Sequence, residues 1–398
     1  MKAVVWHGEK DVRVETVPDP SIQKDTDIII KVTSSAICGS DLHLYRVLSP
    51  IMEEGDIMGH EPMGEVVEVG SAVDNLKVGD RVVIPFNISC GHCFMCNLGL
   101  HSQCETTQVT KYDRGAAMFG YTKMYGHVAG GQAEYLRVPQ GQFGPIRIPD
   151  DGPDDKYLFL SDVLPTAWQA VEYAGVKEGS SVVVMGLGPI GLMSCRIALL
   201  KGASLVIGVD SVPERLAFAK ESGVHVLDYK KLGNDLRDTV LALTRGRGAD
   251  CVVEAVGMEA HGIASQTFIQ KAAGKMPDVI AEPLLKTVGI DRMAAFHQSL
   301  ETVRRGGTIS LIGVYNGMVD PMPLGILFDK QITLKMGQAN VKNWVDQIIP
   351  HLTDDDPLGV MNFATHHVPI GKAEEYYKLF EKQEDGVIKV VLKPFGDL

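Results

Sequence analysis

Three glycines between two apolar stretches constrain the fold of this 398-residue chain more than any other feature. The run VVVMGLGPIGLMSCRIALL, residues 182–200, is long enough to cross a membrane, but it also contains a proline and an arginine. Its glycines have the spacing G-x-G-x-x-G after a β-rich run, and the next apolar segment, 205–209, ends at Asp210. This pattern predicts the βαβ unit of a dinucleotide-binding sheet. Further apolar strands predicted at 250–256, 307–314 and 331–336 indicate an α/β chain with a doubly wound parallel sheet.

The same unit predicts the cofactor. Glycines allow the backbone to approach a pyrophosphate, and the helix that follows offers unpaired N–H groups to it. Asp210 would accept hydrogen bonds from the adenosine ribose and repel a 2′-phosphate, which favours NAD over NADP. Arg215 leaves the opposite choice open, since an arginine can bind a 2′-phosphate, but we interpret it as packing over the adenine. Within this unit the residues expected to contact the cofactor are Gly186, Gly188, Pro189, Ile190, Gly191, Asp210 and Arg215; outside it, contacts are also expected from Thr166, Val256 and Gly313.

Four of the seven cysteines lie in fifteen positions, CGHCFMCNLGLHSQC. Cys90, Cys93, Cys96 and Cys104 have the spacing C-x2-C-x2-C-x7-C, and four thiolates satisfy a tetrahedral zinc ion without leaving an open position. We therefore expect a structural zinc. Free thiols or disulfides are the alternatives. The first residues, MKAVVWHGEK, lack the apolar core of a signal peptide, so we expect a reducing, cytoplasmic location in which metal binding is favoured.

A second set of metal ligands is suggested upstream. Cys38 lies in ICGSDLHLYR, and His60 and Glu61 lie in GDIMGHEPMGEVVEVG. A thiolate and an imidazole are a common zinc pair, although a lone cysteine or histidine is a weak signal.

Taken in order, these motifs resemble a known family. C-G-S-D-x-H, then G-H-E-x-x-G-E-V, then G-D-R-V and the four-cysteine lobe are similar to the zinc-containing medium-chain alcohol dehydrogenases. PFNISCGHC, AGGQAEY and LSDVLPTAWQA look most like the glutathione-independent formaldehyde dehydrogenase branch. The resemblance implies a GroES-like, mainly β catalytic domain over residues 1–163, a Rossmann domain over 164–317, and a return to the catalytic domain over 318–398.

The resemblance also implies the reaction centre. It places a catalytic zinc on Cys38, His60 and Asp162, where many relatives have cysteine as the third ligand. A carboxylate is an accepted zinc ligand, so the difference does not remove the site. Glu61 would orient the zinc site without binding the metal, or would transiently replace a water molecule bound to the zinc. Ser40 and His43 would relay the released proton outward.

The implied activity is hydride transfer between NAD and an alcohol or hydrated aldehyde, with formaldehyde favoured. The alternative within this class is a dehydrogenase of short or medium primary alcohols; a zinc-storage or redox protein and an NAD(H)-sensing module are the alternatives outside it. The net charge of −12, without a dense Lys/Arg run, argues against nucleic acid and anionic membranes as partners. A small-molecule substrate and a homo-oligomer, dimer or tetramer, are expected.

The segment between two of the predicted strands of the dinucleotide-binding sheet is unusually long. Between Gly257 and Gly306 lie 48 residues, where one helix and its turns need roughly 20 to 25. We interpret the insertion as a lid over the adenine half of NAD that slows cofactor release. An oligomer contact or a surface loop is the alternative.

Overall fold

The computed structural model describes residues 1–46, 52–257, 293–315 and 322–396. It divides into two compact units, Met1–Thr166 with Ala339–Leu398, and Ala167–Gln338. Most of the predicted lid, residues 258–292, lies outside the described residues.

The strands of the described chain are β1 (Lys2–Gly8), β2 (Asp11–Thr16), β3 (Ile28–Ile37), β4 (Glu61–Val69), β5 (Arg81–Val83), β6 (Tyr135–Val138), β7 (Ile146–Arg147), β8 (Ser181–Met185), β9 (Leu205–Asp210), β10 (His225–Asp228), β11 (Ala249–Glu254), β12 (Val303–Leu311), β13 (Thr333–Met336), β14 (His366–Pro369) and β15 (Val390–Lys393). The helices are α1 (Gly39–Arg46), α2 (Phe94–Asn97), α3 (Asp155–Leu158), α4 (Val163–Ala174), α5 (Pro189–Leu200), α6 (Pro213–Glu221), α7 (Tyr229–Leu232), α8 (Leu236–Leu243), α9 (Ala294–Thr302), α10 (Leu324–Asp329), α11 (Val341–Ile348) and α12 (Ala373–Lys382).

The first unit is built on a seven-stranded sheet. Its strand order is β14-β15-β3-β4-β5-β7, with β6 also paired to β3. The central strand β3 reads IIIKVTSSAI and is buried along most of its length, which is why it can pair with three neighbours inside the unit. Ile28, Ile30 and Val32 pack in one core cluster with Val66 and Phe119.

The second unit contains a six-stranded sheet in the order β10-β9-β8-β11-β12-β13. All five strand pairs are parallel. The apolar runs of β8, β9 and β11 are buried almost throughout, as expected of strands covered on both faces. Numbered along the unit, the order is 3-2-1-4-5-6, and it reverses between β8 and β11. The predicted doubly wound sheet is confirmed, with its ligand crevice expected at the carboxyl ends of those two strands.

The second unit extends to Gln338, beyond the boundary at 317 expected from the sequence. The reason is β13, which pairs in parallel with β12 from Thr308↔Thr333 to Leu311↔Met336. The membrane-length run 182–200 forms most of β8 and all of α5 in this unit. Within the described residues, no helix combines the length and the apolar character needed to cross a membrane.

Candidate active site and metal centres

Cys38, His60, Glu61 and Asp162 converge in the first unit, with one ligand atom of each within 4.8 Å of the others. Strand pairing explains why. Ala36 on β3 pairs with Glu61, the first residue of β4, so Cys38, just after β3, lies beside His60, just before β4. Asp162 joins them from the residue immediately before α4.

The distances in this cluster fit a tetrahedral zinc site. Asp162 Oδ2 lies 3.6 Å from Cys38 Sγ and 3.4 Å from His60 Nε2. Zinc bonds of about 2.1 Å to nitrogen and oxygen and about 2.3 Å to sulfur would separate such atoms by about 3.6 and 3.4 Å. The Asp162 carboxylate therefore lies at the spacing from both the thiol and the imidazole that a shared zinc ion requires.

The electrostatics of the cluster favour a cation. Burial raises the pKa of the Cys38 thiol to about 11, and the carboxylates of Glu61 and Asp162 add to the effect. Burial opposes protonation of His60, yet Asp41 and Cys38 raise its pKa well above the usual value. Several groups that can carry a negative charge are therefore buried together, and a metal cation would stabilise the thiolate among them.

The four lobe cysteines are also together, as free thiols. Cys90 Sγ lies 4.0 Å from Cys96 Sγ, and Cys93 Sγ lies 3.9 Å from Cys104 Sγ. Tetrahedral bonds of about 2.3 Å place sulfur atoms about 3.8 Å apart, whereas a disulfide needs about 2.0 Å. Although burial raises the pKa of Cys93, backbone N–H groups of Cys96 and Glu105 lower it to about 6. The lobe fits a closed zinc site with four thiolate ligands.

In the second unit, the glycines of the predicted cofactor loop have steric reasons to be glycine. Gly186 has a φ of +84°, and a Cβ there would lie 2.7 Å from Val256 Cγ2. A Cβ on Gly191 would lie 1.7 Å from the Gly186 carbonyl oxygen. Gly188 caps α5, whose first residue is Pro189, followed by Ile190. The loop, the carboxyl end of β8 and the start of α5 are thus held in close contact, as the motif predicts.

Asp210 ends β9, and its carboxylate is mostly buried. Its Oδ2 accepts the Leu187 N–H at 2.7 Å, and its Oδ1 accepts the N–H of Ser211 at 2.6 Å and of Val212 at 2.9 Å. Arg215 Nη1 lies 3.8 Å from Oδ2. Asp210 therefore also fixes the glycine loop, a function that the sequence pattern did not reveal.

Val256 lies just after β11 and Gly313 just after β12. Both donate hydrogen bonds to Glu254. The Val256 N–H donates to Glu254 Oε1, and the Gly313 N–H donates to the Glu254 carbonyl oxygen, both at 2.9 Å. A Cβ on Gly313 would lie 2.3 Å from the Gly257 nitrogen. These contacts place both residues at the carboxyl ends of adjacent strands.

Comparisons with known proteins extend this description. The alcohol dehydrogenase GroES-like domain family matches residues 24–150, and the zinc-binding dehydrogenase family matches residues 189–276. An uncharacterized zinc-type alcohol dehydrogenase-like protein of Bacillus subtilis, AdhB, is 42% identical over 404 residues, covering 99% of this chain and 100% of that protein. The chain belongs to the zinc-type alcohol dehydrogenase family.

Two further relatives agree with this assignment. The glutathione-independent formaldehyde dehydrogenase of Pseudomonas aeruginosa is 38% identical over 94% of each chain. The structure of the alcohol dehydrogenase TADH from a Thermus species matches 99% of each chain with a TM-score of 0.80 and 32% identity. The resemblance to zinc-type alcohol dehydrogenases, and the combination of a GroES-like domain with a Rossmann-type sheet, are confirmed.

Two residues near the zinc-type donor set were missed from the sequence. Lys389 Nζ donates to Glu61 Oε1 at 2.6 Å, and both side chains are fully buried. Asp41 Oδ1 lies 2.9 Å from His60 Nδ1, and Asp41 Oδ2 accepts the Cys38 N–H at 3.0 Å. The available signals were a lysine inside the apolar run GVIKVVL and the aspartate of the CGSD motif itself.

The remaining predicted residues of this dehydrogenase site lie as follows. Ser40 Oγ is 3.2 Å from His60 Nε2. Thr166 Oγ1 donates to Asp162 Oδ1 at 2.6 Å, so a residue predicted to contact the cofactor also orients a candidate zinc ligand. His43 lies on α1 with Ser40. The relay through Ser40 and His43 stays a prediction.

Proposed function

We propose that this zinc-type alcohol dehydrogenase transfers hydride from hydrated formaldehyde to NAD, using Cys38, His60 and Asp162 as ligands of a catalytic zinc. The observation that carries the proposal is that Cys38 Sγ and His60 Nε2 lie 3.6 Å and 3.4 Å from the same Asp162 oxygen, which are the distances expected between ligands of one tetrahedral zinc ion. Lys389 donates to Glu61 Oε1, so an ammonium group already occupies that carboxylate oxygen, and we assign Glu61 a position beside the metal rather than the role of a permanent fourth ligand. Three protein donors leave one position of the metal for a substrate oxygen.

When bound, zinc supplies Lewis acidity to the substrate oxygen and NAD supplies the hydride acceptor. The Ser40 hydroxyl lies 3.2 Å from His60 Nε2, the nitrogen proposed to bind zinc, and this proximity supports assigning Ser40 the role of first acceptor of the substrate proton. His43, on the same helix, is assigned the next step of the proton path. Thr166 holds Asp162 by a hydrogen bond to its Oδ1 and leaves Oδ2 to the donor set.

Formaldehyde in water is largely a gem-diol, which has the hydroxyl and carbon-bound hydrogen of an alcohol. Removing a hydride from its carbon and a proton from its oxygen yields formic acid, which ionises to formate. The relationship to a protein named as a glutathione-independent formaldehyde dehydrogenase supports this substrate. Short or medium primary alcohols would follow the same chemistry and are the alternative.

NAD and a second zinc complete the proposal. Asp210 at the end of β9 supports NAD, because its negative charge disfavours a 2′-phosphate. The Cys90, Cys93, Cys96 and Cys104 set supports a structural zinc. Two separate donor sets predict two zinc ions per chain.

The test is a substrate panel. We expect the highest kcat/KM for formaldehyde with NAD, and we expect Cys38→Ala to abolish turnover with every substrate. A higher kcat/KM for ethanol or a longer primary alcohol would support the alternative substrate. If the unmodified protein formed no NADH or NADPH from any member of the panel, the proposed activity would be overturned.

A further inference from the structure

A chain of buried polar side chains runs from His60 to the helix α12. His60 Nδ1 lies 2.9 Å from Asp41 Oδ1. Gln132 Nε2 donates to the other carboxylate oxygen, Asp41 Oδ2, at 3.1 Å. Tyr377 on α12 donates its hydroxyl to Gln132 Oε1 at 2.8 Å. All four residues are buried, so water does not compete for these contacts.

The backbone builds the place for Gln132. The Gly131 N–H donates to the Gly59 carbonyl at 2.8 Å, and the Gln132 N–H donates to the Met58 carbonyl at 2.9 Å. Gly59 has a φ of +95°, and a Cβ there would lie 2.3 Å from Gln132 Cγ. The segment AGGQ is therefore bonded directly to the two residues that precede His60, and the Gln132 side chain occupies space that only a glycine at position 59 leaves free.

The hydrogen bonds between Asp41, Gln132 and Tyr377 can be donated in only one direction. An ionised carboxylate only accepts hydrogen bonds, so Gln132 must turn its NH2 group toward Asp41. The same NH2 group reaches the Ala36 carbonyl oxygen at 3.4 Å. The amide oxygen then faces Tyr377, whose hydroxyl must donate. Burial raises the pKa of Tyr377 well above its usual value, so this hydroxyl keeps its proton.

We propose that Gln132 and Tyr377 are positioning residues for the zinc ligand His60, acting through Asp41. The inference rests on the proposed function, because it requires zinc on the Cys38 set. Asp41 Oδ1 lies at ion-pair distance from His60 Nδ1, and Asp41 Oδ2 accepts hydrogen bonds from the Cys38 N–H and from Gln132. If the Gln132 amide loses its direction, the carboxylate loses a donor and is free to rotate away from both ligand residues. Groups that orient metal ligands in this way typically change metal affinity by about 10- to 100-fold.

The experiment measures zinc release from the intact protein to a chromogenic chelator. The release phase that is missing in Cys38→Ala identifies the catalytic zinc, and the other phase belongs to the cysteine lobe. We expect Tyr377→Phe, which removes one hydroxyl and keeps the ring, to release the catalytic zinc about 10-fold faster. Gln132→Leu should act in the same direction at least as strongly. The lobe phase should not change in either variant.

Tyr45→Phe is the matched control. Tyr45 is buried, and its ring centroid lies 5.4 Å from that of Tyr377, but its hydroxyl is not part of the chain to Asp41. The Tyr45→Phe variant should release its catalytic zinc at the rate of the unmodified protein. Normal release from both Tyr377→Phe and Gln132→Leu, or equal acceleration of both phases, would overturn the inference and leave the proposed function standing. Unmodified protein without any Cys38-dependent zinc would overturn the proposed function and the inference with it.

Discussion

Lys389 and Glu61 form an ion pair with no exposed side-chain surface, with 2.6 Å between Nζ and Oε1. The pair lies against the donor set of Cys38, His60 and Asp162, because Glu61 belongs to the same cluster. A lysine distant in sequence therefore controls the charge and the position of a carboxylate at the candidate zinc site.

Replacing Lys389 by methionine should destabilise the protein strongly. The change removes the cation and leaves Glu61 buried without its partner, which typically costs about 3–5 kcal/mol. Denaturant unfolding of the whole protein measures the loss. The double variant Lys389→Met with Glu61→Gln should recover most of the stability, because no buried charge then lacks a partner. A single variant within about 1 kcal/mol of the unmodified protein would contradict the account.

Asp154 should make stability depend on pH in acid. Its Oδ1 accepts from Arg81 at 2.7 Å and its Oδ2 accepts from Ser34. Although burial raises its pKa, these hydrogen bonds lower it below the usual value on balance. The folded protein therefore binds fewer protons than the unfolded chain, so the stabilisation is fully present above about pH 4 and is lost as the pH falls through the folded-state pKa.

The comparison with Asp154→Asn isolates this effect, since asparagine does not titrate. The variant should be less stable by about 1–2 kcal/mol at pH 7, and the difference should shrink as the pH falls below about 4. Urea unfolding at a series of pH values measures it. A difference that stays constant down to about pH 2 would show that Asp154 does not have a lowered pKa.

Cys96→Ala should damage stability before it affects chemistry. Within the described residues, Cys90, Cys96, Cys104 and Ala116 form the small buried cluster of the lobe, so the metal has to supply most of the cohesion there. We expect about one zinc per chain, a lower unfolding temperature, and a Cys38-dependent zinc that remains bound. Elemental analysis and thermal unfolding check this. Normal stability together with loss of activity would reverse the roles assigned to the two sites.

Asp210→Ser should narrow the preference for NAD over NADP. The change removes the negative charge and also the acceptor of the Leu187 and Val212 N–H groups, so kcat/KM with NAD should fall. Steady-state kinetics with both cofactors measure the ratio. Arg215→Leu is the companion variant: a selective loss of NADP activity would mean that Arg215 binds a 2′-phosphate, against our interpretation. Equal use of both cofactors by the unmodified protein would remove the basis for the prediction.

The sequence predicted features that have local signals. The glycine spacing and apolar runs predicted a strand, helix and strand between residues 182 and 210, and the structure has them at Ser181–Met185, Pro189–Leu200 and Leu205–Asp210. The start of β12 was less readable. The sequence predicted a start at 307, because two arginines and two glycines interrupt the apolar pattern before that point. The strand itself begins at Val303.

Contacts between distant segments had no such signal. Lys389 and Glu61 are 328 positions apart, and Tyr377 and Gln132 are 245 apart. Nothing near either residue indicates its partner, since the pairing depends on how strands and helices of one unit pack. The metal ligands were predictable because their motifs are local, whereas the residues that orient them were not.

Zinc content and activity of Asp162→Ala test whether Cys38, His60 and Asp162 bind a catalytic zinc. Asp162 Oδ2 is the atom shared by the two distances that define the donor set, and a cysteine thiolate is also a good zinc ligand, so Asp162→Cys is the matched control. We expect two zinc ions per chain in the unmodified protein and in Asp162→Cys. Asp162→Ala should bind about one, remain folded and lose turnover. Two firmly bound zinc ions and an unchanged kcat in Asp162→Ala would mean that Asp162 is not a ligand of a catalytic zinc.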